Sequence, residues 1–389
     1  MRLLIHGSET AFHVQQFLPL MEILDDDEDS EYLFFHSTDD LALHPKNPLM
    51  HRLRDLLWDR FGYSRNNFSH EDWYWIWKEK GSGPVRLDSP HESWNEPCAA
   101  LKGSIPWKPD LVLGTTPHEG HMRYQAIPWA RSLGIPILSI DHGAPMIPHY
   151  FGGYRGSMMG CSANAVWGEV AKKINVGYGA PAKGQVVTGS PTIDGIMGLG
   201  GQSEATSRKI LLMTTHREPL KSALDKIAAQ VCEKYLGREG FEVVVKPHPV
   251  ELRNGTLMEF PEEVRVVSDQ GQLNEVIGSA HCIISPTSSV LVPALALGIP
   301  FIDIMQPGSG LADEEELVAL AEGVGRVTFS PDQMDDVIEG RVSSNLEECR
   351  GVFERLGHKS DGNNGKRVIS LATHLASGLP PEEWRDPFA

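Results

Sequence analysis

The sequence predicts an α/β protein made of two parallel-sheet domains. Three observations predict it. Short apolar runs alternate with helix-period segments in both halves of the chain, which is the pattern of βα units. A stretch rich in Gly, Ser and Thr, 189–206, separates the halves and marks a domain boundary. In both halves the apolar runs end in polar loops, where open α/β sheets place their ligand sites.

Taken in order, residues 2–6 read as a first strand, ending in Gly7-Ser8-Glu9-Thr10. Residues 12–24 have helical spacing, with Phe12, Gln16, Leu20 and Leu24 stacked and Phe17 and Met21 beside them. Residues 32–35 read as a second strand. The segment 39–106 resists assignment. Trp73, Trp75 and Trp77 fit one face of a strand, and the acidic and aromatic mix around them also suits a helix. Alternation resumes with a strand at 110–113, ending in Gly114-Thr115-Thr116-Pro117-His118-Glu119-Gly120. A helix is expected at 122–133, and a strand at 135–140 that ends in Asp141-His142-Gly143. Further short strands are expected at 165–167 and 185–188.

The second half repeats the pattern. Strands are expected at 210–213, 241–245, 264–267, 281–284 and 301–304. Helices are expected at 219–236, 273–280, 290–297, 317–322, 346–356 and 366–376. Gly298-Ile299-Pro300 ends one helix and starts the next strand. The domains read as 1–194, taking the acceptor and carrying the Trp-rich insertion at about 39–106, and 207–365, taking a nucleotide donor. Residues 366–389 form a C-terminal helix and tail that crosses back. Parallel strand ends facing each other across the linker place the pocket in a central cleft.

Composition bounds the function. Hydrophobic residues are 41% and charged residues 22%, ordinary for a globular protein, and the net charge is −17. The charge concentrates in runs such as Asp25-Asp26-Asp27-Glu28-Asp29, which read as solvated faces. This balance excludes a broad grip on duplex nucleic acid, which needs a basic stripe. It permits a small phosphorylated ligand in a local pocket. Five scattered cysteines with no C-x-x-C argue against a disulfide framework or zinc site and fit a reducing, cytoplasmic compartment. No apolar run reaches the ~20 residues of a membrane span, which leaves peripheral membrane contact open.

The loops carry the candidate chemistry. Ser285-Pro286-Thr287-Ser288-Ser289 joins a buried strand to a helix, and Thr287, Ser288 and Ser289 exceed what capping alone requires; they read as a diphosphate cradle. In Lys246-Pro247-His248-Pro249, two prolines set the direction of Lys246 and His248 toward phosphate or ribose. In Thr214-Thr215-His216-Arg217-Glu218, His216 and Arg217 suit a diphosphate or a leaving group, and Glu218 suits the positive end of the following helix. His142 is the candidate general base, with Asp141 adjoining it and His118 and Glu119 on the neighbouring loop. Gly7 and Ser8 are candidates to line the cleft. No His/Cys/Asp cluster has ligand spacing, so no metal is expected.

These loops, in this order, resemble the GT-B superfamily of nucleotide-sugar enzymes over about residues 1–16 and 109–304. The run from Ile210 to Glu218 resembles the Thr-His-Arg-Glu motif of the non-hydrolysing UDP-N-acetylglucosamine 2-epimerases. The run from Val187 to Asp194 resembles their interdomain link. Asp141-His142-Gly143 is similar to the Gln-His-Gly loop of CDP-glycerol glycerophosphotransferases, and Lys246-Pro247-His248-Pro249 and Thr287-Ser288-Ser289-Val290 are similar to their Lys-Pro-His-Pro and Tyr-Ser-Ser-Val motifs. The epimerases carry a Glu in the Asp141-His142-Gly143 loop, and an acidic pair where Val290-Leu291-Val292 stands here.

The resemblance implies a GT-B fold of two Rossmann-like domains and a metal-independent transferase without a cofactor. It would use a UDP-sugar or CDP-polyol donor and a glycan, lipid-linked or polymer hydroxyl acceptor. In it His142, Asp141 and His216 act in catalysis, while Arg217, Lys246, His248, Thr287, Ser288 and Ser289 hold the donor. The alternatives are a 2-epimerase and a non-catalytic nucleotide-sugar or glycan binder.

Overall fold

The computed structural model describes residues 1–8, 11–37, 74–77, 85–86, 107–115, 130–141, 143, 161–177, 179–197, 207–268, 273–305 and 323–389. The chain forms two compact units. The first gathers 1–143, 151–192 and 363–389, and the second contains 193–362.

The first unit is built on a sheet. β1 (Arg2–Ser8) is followed by α1 (Ala11–Asp25) and β2 (Glu31–Ser37), then β3 (Tyr74–Trp77) and β4 (Val85–Arg86). β5 (Leu111–Thr115), β6 (Ile137–Ile140), β7 (Ala163–Val166) and β8 (Gln185–Val187) complete it. The strand order is β4-β3-β2-β1-β5-β6-β7-β8. All pairings are parallel except β2–β3 and β3–β4, which are antiparallel. Leu3, Leu4 and Ile5 are all buried, as expected of a central strand covered on both faces. The Trp-rich run open to two readings is a strand at Tyr74–Trp77. Pairing with β2 decides it: Trp75 stands opposite His36, and Trp77 opposite Phe34.

Two helices here lie outside the sequence expectation. α2 (Glu169–Gly177) buries Val170, Ala171 and Ile174 at helical spacing. α3 (Pro191–Met197) occupies part of the expected linker, and from residue 193 onward it belongs to the second unit. Its Ile193 and Ile196 are buried, and two apolar anchors three residues apart outweigh the local Gly and Thr content. The last helix, α11 (Asn364–Ala376), places Val368, Leu371, Ala372 and Leu375 in one core with Phe17, Leu20, Met21 and Leu24 of α1. The C-terminal segment is thus an integral layer of the first unit. Its start lies against Gly189, whose φ is +77° and whose missing side chain leaves room for Asn364.

The second unit carries five parallel strands in the order β11-β10-β9-β12-β13: β9 (Arg208–Met213), β10 (Phe241–Lys246), β11 (Arg265–Val266), β12 (Cys282–Ser285) and β13 (Phe301–Asp303). Its helices are α4 (Leu220–Tyr235), α5 (Pro249–Asn254), α6 (Leu273–Gly278), α7 (Leu291–Leu297), α8 (Val324–Val327), α9 (Met334–Ile338) and α10 (Leu346–Gly357). α4 buries Leu220, Leu224, Ala228, Val231 and Tyr235, one stripe at helical period. α7 ends at Gly298, with φ +69°, where a Cβ would meet Leu346 at 2.1 Å. The helix expected at 317–322 lies outside the described residues, as does nearly all of the one expected at 122–133.

No helix among the described residues is long and apolar enough to cross a membrane.

Candidate functional site

In the second unit, β10, β9 and β12 are neighbours and parallel, so the loops after Met213, Lys246 and Ser285 leave the sheet at one edge. This places the three candidate donor-binding loops side by side.

The first two loops are joined by Glu251, on α5 and 0% exposed. Its Oε2 accepts the Thr214 hydroxyl and the His248 amide, the latter at 3.3 Å. The His248 amide also donates to Thr214 Oγ1 at 2.9 Å. Lys221 on α4 stands 3.6 Å from Glu251 Oε1 and 2.6 Å from Asp225, bringing a positive charge to the buried carboxylate. The result is a clamp that sets the rings of His216 and His248 at 4.5 Å between centroids, tilted by 39°. His248 is the N-cap of α5. Its Nδ1 accepts the Val250 amide at 3.2 Å, and Glu251 completes the reciprocal capping box. Lys246 is 2% exposed at the end of β10. Arg217 is half-buried, and burial pulls its guanidinium below the usual arginine range. Glu218 accepts the amide and hydroxyl of Ser222, at 3.2 and 2.6 Å, and so serves the first turn of α4.

The third loop has its own buried carboxyl. Asp303, at the end of β13 and 0% exposed, accepts the Thr287 hydroxyl and amide and, at 2.9 Å, the Met305 amide. Burial pushes its carboxyl up to about 6 against the pull of these hydrogen bonds. Thr287 therefore faces inward, while Ser288 and Ser289 are half-buried in the turn before α7. Of the three hydroxyls expected to form a cradle, that of Thr287 is engaged by Asp303.

In the first unit, Asp141 follows β6 and is buried. Asn164 donates to its Oδ1 at 3.0 Å, Asn175 also bonds its carboxyl, and Asn164 and Asn175 both donate to Gln185 Oε1, at 3.1 and 3.0 Å. Trp167 Nε1 donates to the Asp141 carbonyl at 2.9 Å. Burial pushes the Asp141 carboxyl up to about 7, against these amides. Its carboxyl is thus engaged with β7 and α2, whose amides are in turn held by Gln185 of β8. Gly7 and Ser8 end β1, opposite His36 and Ser37 of β2. His142, His118 and Glu119 lie outside the described residues.

Glu251, Lys221, Asp303, Asn164, Asn175 and Gln185 were not singled out from the sequence. Glu251 had a signal, since it stands three residues after the cap His248. Asp303, Asn164 and Gln185 had a weaker one: each is a polar residue set in an apolar strand. Among the described residues, no group of three or more His, Cys, Asp or Glu is placed to hold a metal ion.

No protein-family model matches the sequence, and no curated protein matches it. Solved structures do match. MnaA of S. aureus, solved with UDP, superposes with a TM-score of 0.62 at 13% identity over 99% of this chain and 100% of that one. The UDP-GlcNAc 2-epimerase of Neisseria meningitidis, bound to UDP-GlcNAc, gives 0.56 at 16% identity over 95% and 98%. The wall teichoic acid polymerase TagF gives 0.61 at 12% identity over 97% and 89%. The fold is GT-B. The two-domain Rossmann-like fold agrees with the alternation of strands and helices along the chain, and the similar structures include UDP-GlcNAc 2-epimerases, one of the families that the loop motifs resembled.

Proposed function

We propose that this protein is a GT-B transferase that moves a sugar or polyol phosphate from a nucleotide-diphosphate donor to a hydroxyl acceptor. The observation that carries the reading is the His216–His248 pair, held 4.5 Å apart over the buried Glu251 at the ends of adjacent strands. Such a pair supplies directional donors where a diphosphate develops charge as it leaves. Arg217, Lys246, Ser288 and Ser289, from the same and neighbouring loops, add charge and hydroxyl donors. Support also comes from structural neighbours solved with UDP and with UDP-GlcNAc.

In this reading the acceptor hydroxyl gives its proton to His142. The acceptor oxygen bonds to the donor's reacting carbon or phosphorus, and the bond to the nucleotide breaks. The nucleotide departs with the electron pair, its charge met by the residues above.

The second reading is a UDP-sugar 2-epimerase, favoured by the Thr-His-Arg-Glu run at the end of β9, with His216 beside His248. It lacks the expected acidic pair, because Val290, Leu291 and Val292 stand there and Leu291 and Val292 are buried.

A thermal-shift panel of UDP-, CDP-, GDP- and CMP-linked donors tests for the nucleotide site. Release of free nucleotide only with an acceptor present supports transfer. A 2-epimer formed from UDP-N-acetylglucosamine alone decides for the second reading, and no shift with any donor overturns both.

A further inference from the structure

We propose that the segment 378–389 is a latch. Through Arg367 and Asn364 of α11 it grips the turn at Gly189, and so ties together the two stretches, 188–192 and 363–367, at which the first unit runs into residues 193–362. The latch lies wholly in the first unit.

The segment runs back along α11 from its last turn to its first. His374 Nε2 donates to the Pro380 carbonyl at 2.8 Å, Trp384 Nε1 donates to Ser370 Oγ at 3.2 Å, and Arg367 Nε donates to Asp386 Oδ2 at 3.0 Å. Residues 367, 370 and 374 share one side of the helix, beside the side that packs in the core with α1. Trp384 packs against that core as well.

Arg367 is where the segment reaches inward. Its side chain is fully buried, and a buried guanidinium is costly unless its donors are met. Asp386 takes Nε, the Phe388 carbonyl takes Nη2 at 3.4 Å, and Asn364 Oδ1 takes Nη1 at 3.3 Å. The Asp386 carboxylate is set in turn by the Phe388 amide, which donates to its Oδ1 at 2.9 Å, and the Phe388 ring centroid lies 5.6 Å from the guanidinium. The planar fork of the arginine therefore joins the segment to Asn364.

Asn364 carries the link to the other stretch. It is fully buried, and a Cβ on Gly189 would lie 2.0 Å from its Oδ1. The same turn is tied to β7, since the Thr188 amide donates to the Val166 carbonyl at 3.1 Å. The second stretch follows bent backbone, with His358 and Gly362 both at φ +71°. A non-glycine residue at such a φ persists where its surroundings hold it, and Asn364 is the anchor two residues beyond Gly362. With the latch shut, 188–192 and 363–367 move as part of the first unit; with it open, they become hinge.

Hydrogen exchange, read peptide by peptide on the full chain, tests the latch. Arg367→Met keeps an apolar stem and leaves no buried cation, and Asp386, whose side chain is 15% exposed, can turn to water. Exchange should rise about tenfold or more in peptides covering 188–192 and 363–367, while β1, β5 and β9 keep wild-type rates. Asp386→Asn should act in the same two places more weakly, although Asp386 lies on the segment and not in either stretch. Lys183→Ala cuts the exposed pair with Glu382, 3.1 Å long, and should change neither stretch, because a surface pair holds little.

Faster exchange confined to 378–389 in Arg367→Met, with 188–192 at the wild-type rate, would make the segment a passive cover and overturn the proposal. A uniform rise across the first unit in that variant would overturn it too, since it would show general loosening. If Arg367→Met does not fold, Asp386→Asn decides by the same two patterns.

Discussion

Asp141→Asn should reverse its effect on stability with pH. The carboxyl ordinarily titrates at 3.8, and in the folded chain burial raises it to about 7. Below about pH 4 it is protonated in both the folded and unfolded states and contributes nothing. Between about pH 4 and 7 the folded state holds a proton that the unfolded state has released, so stability falls as pH rises. Above about pH 7 the full cost of burying the charge is present. A difference of about 3 pKa units, at about 1.4 kcal/mol each, sets that cost at about 4 kcal/mol. Asn removes the charge but offers only one acceptor to the amides of Asn164 and Asn175, a loss of about 1–3 kcal/mol at any pH. The variant should therefore be less stable than wild type at about pH 3.5 and more stable at about pH 8, by roughly 1–3 kcal/mol each way. Urea unfolding of both proteins across this range measures the difference directly. Two parallel curves would refute the reasoning, because they would mean that the carboxyl keeps an ordinary affinity for protons in the fold.

Three further outcomes follow from particular contacts. Gly189→Ala puts a Cβ 2.0 Å from Asn364 Oδ1 at a φ of +77° and should cost well over the ~1 kcal/mol of Gly134→Ala, which has a φ of +66° and nothing within 4 Å; denaturant midpoints compare the two. Asp386→Ala removes the carboxylate 3.0 Å from the fully buried guanidinium of Arg367 and should lower stability by about 3 kcal/mol, seen in the same assay. Thr287→Val takes a hydroxyl donor from Asp303 and should raise that carboxyl beyond about 6. The hydrogen bond favours the ionised form, so the variant should lose more stability at about pH 8 than at about pH 5; equal losses would show that the hydroxyl does not act on the charge.

Much of the second unit was legible along the chain. Residues 210–213, 243–245 and 282–284 are continuous apolar runs, as suits strands covered on both faces. Gly298 and Pro300 then mark a helix end and a strand start. These features are local, so the sequence by itself determined the α/β class, the order of the elements and which loops follow which strands. It also put His216, Lys246, His248 and Ser288 at strand ends.

Only the tertiary structure decided what those loops rest on. Glu251 meets Thr214 across 37 residues, Thr287 meets Asp303 across 16, and Asn164 meets Gln185 across 21. A buried polar group is satisfied by whatever the fold brings to it, and no spacing in the sequence encodes a partner on another strand. The same holds for α11, whose periodicity marks a helix but not the α1 core it joins, and for the tryptophans at 75 and 77, which became a strand by pairing with β2. The raised carboxyls of Asp141 and Asp303 belong to this second kind of information. Their shifts come from desolvation, which exists only once the chain has closed around them.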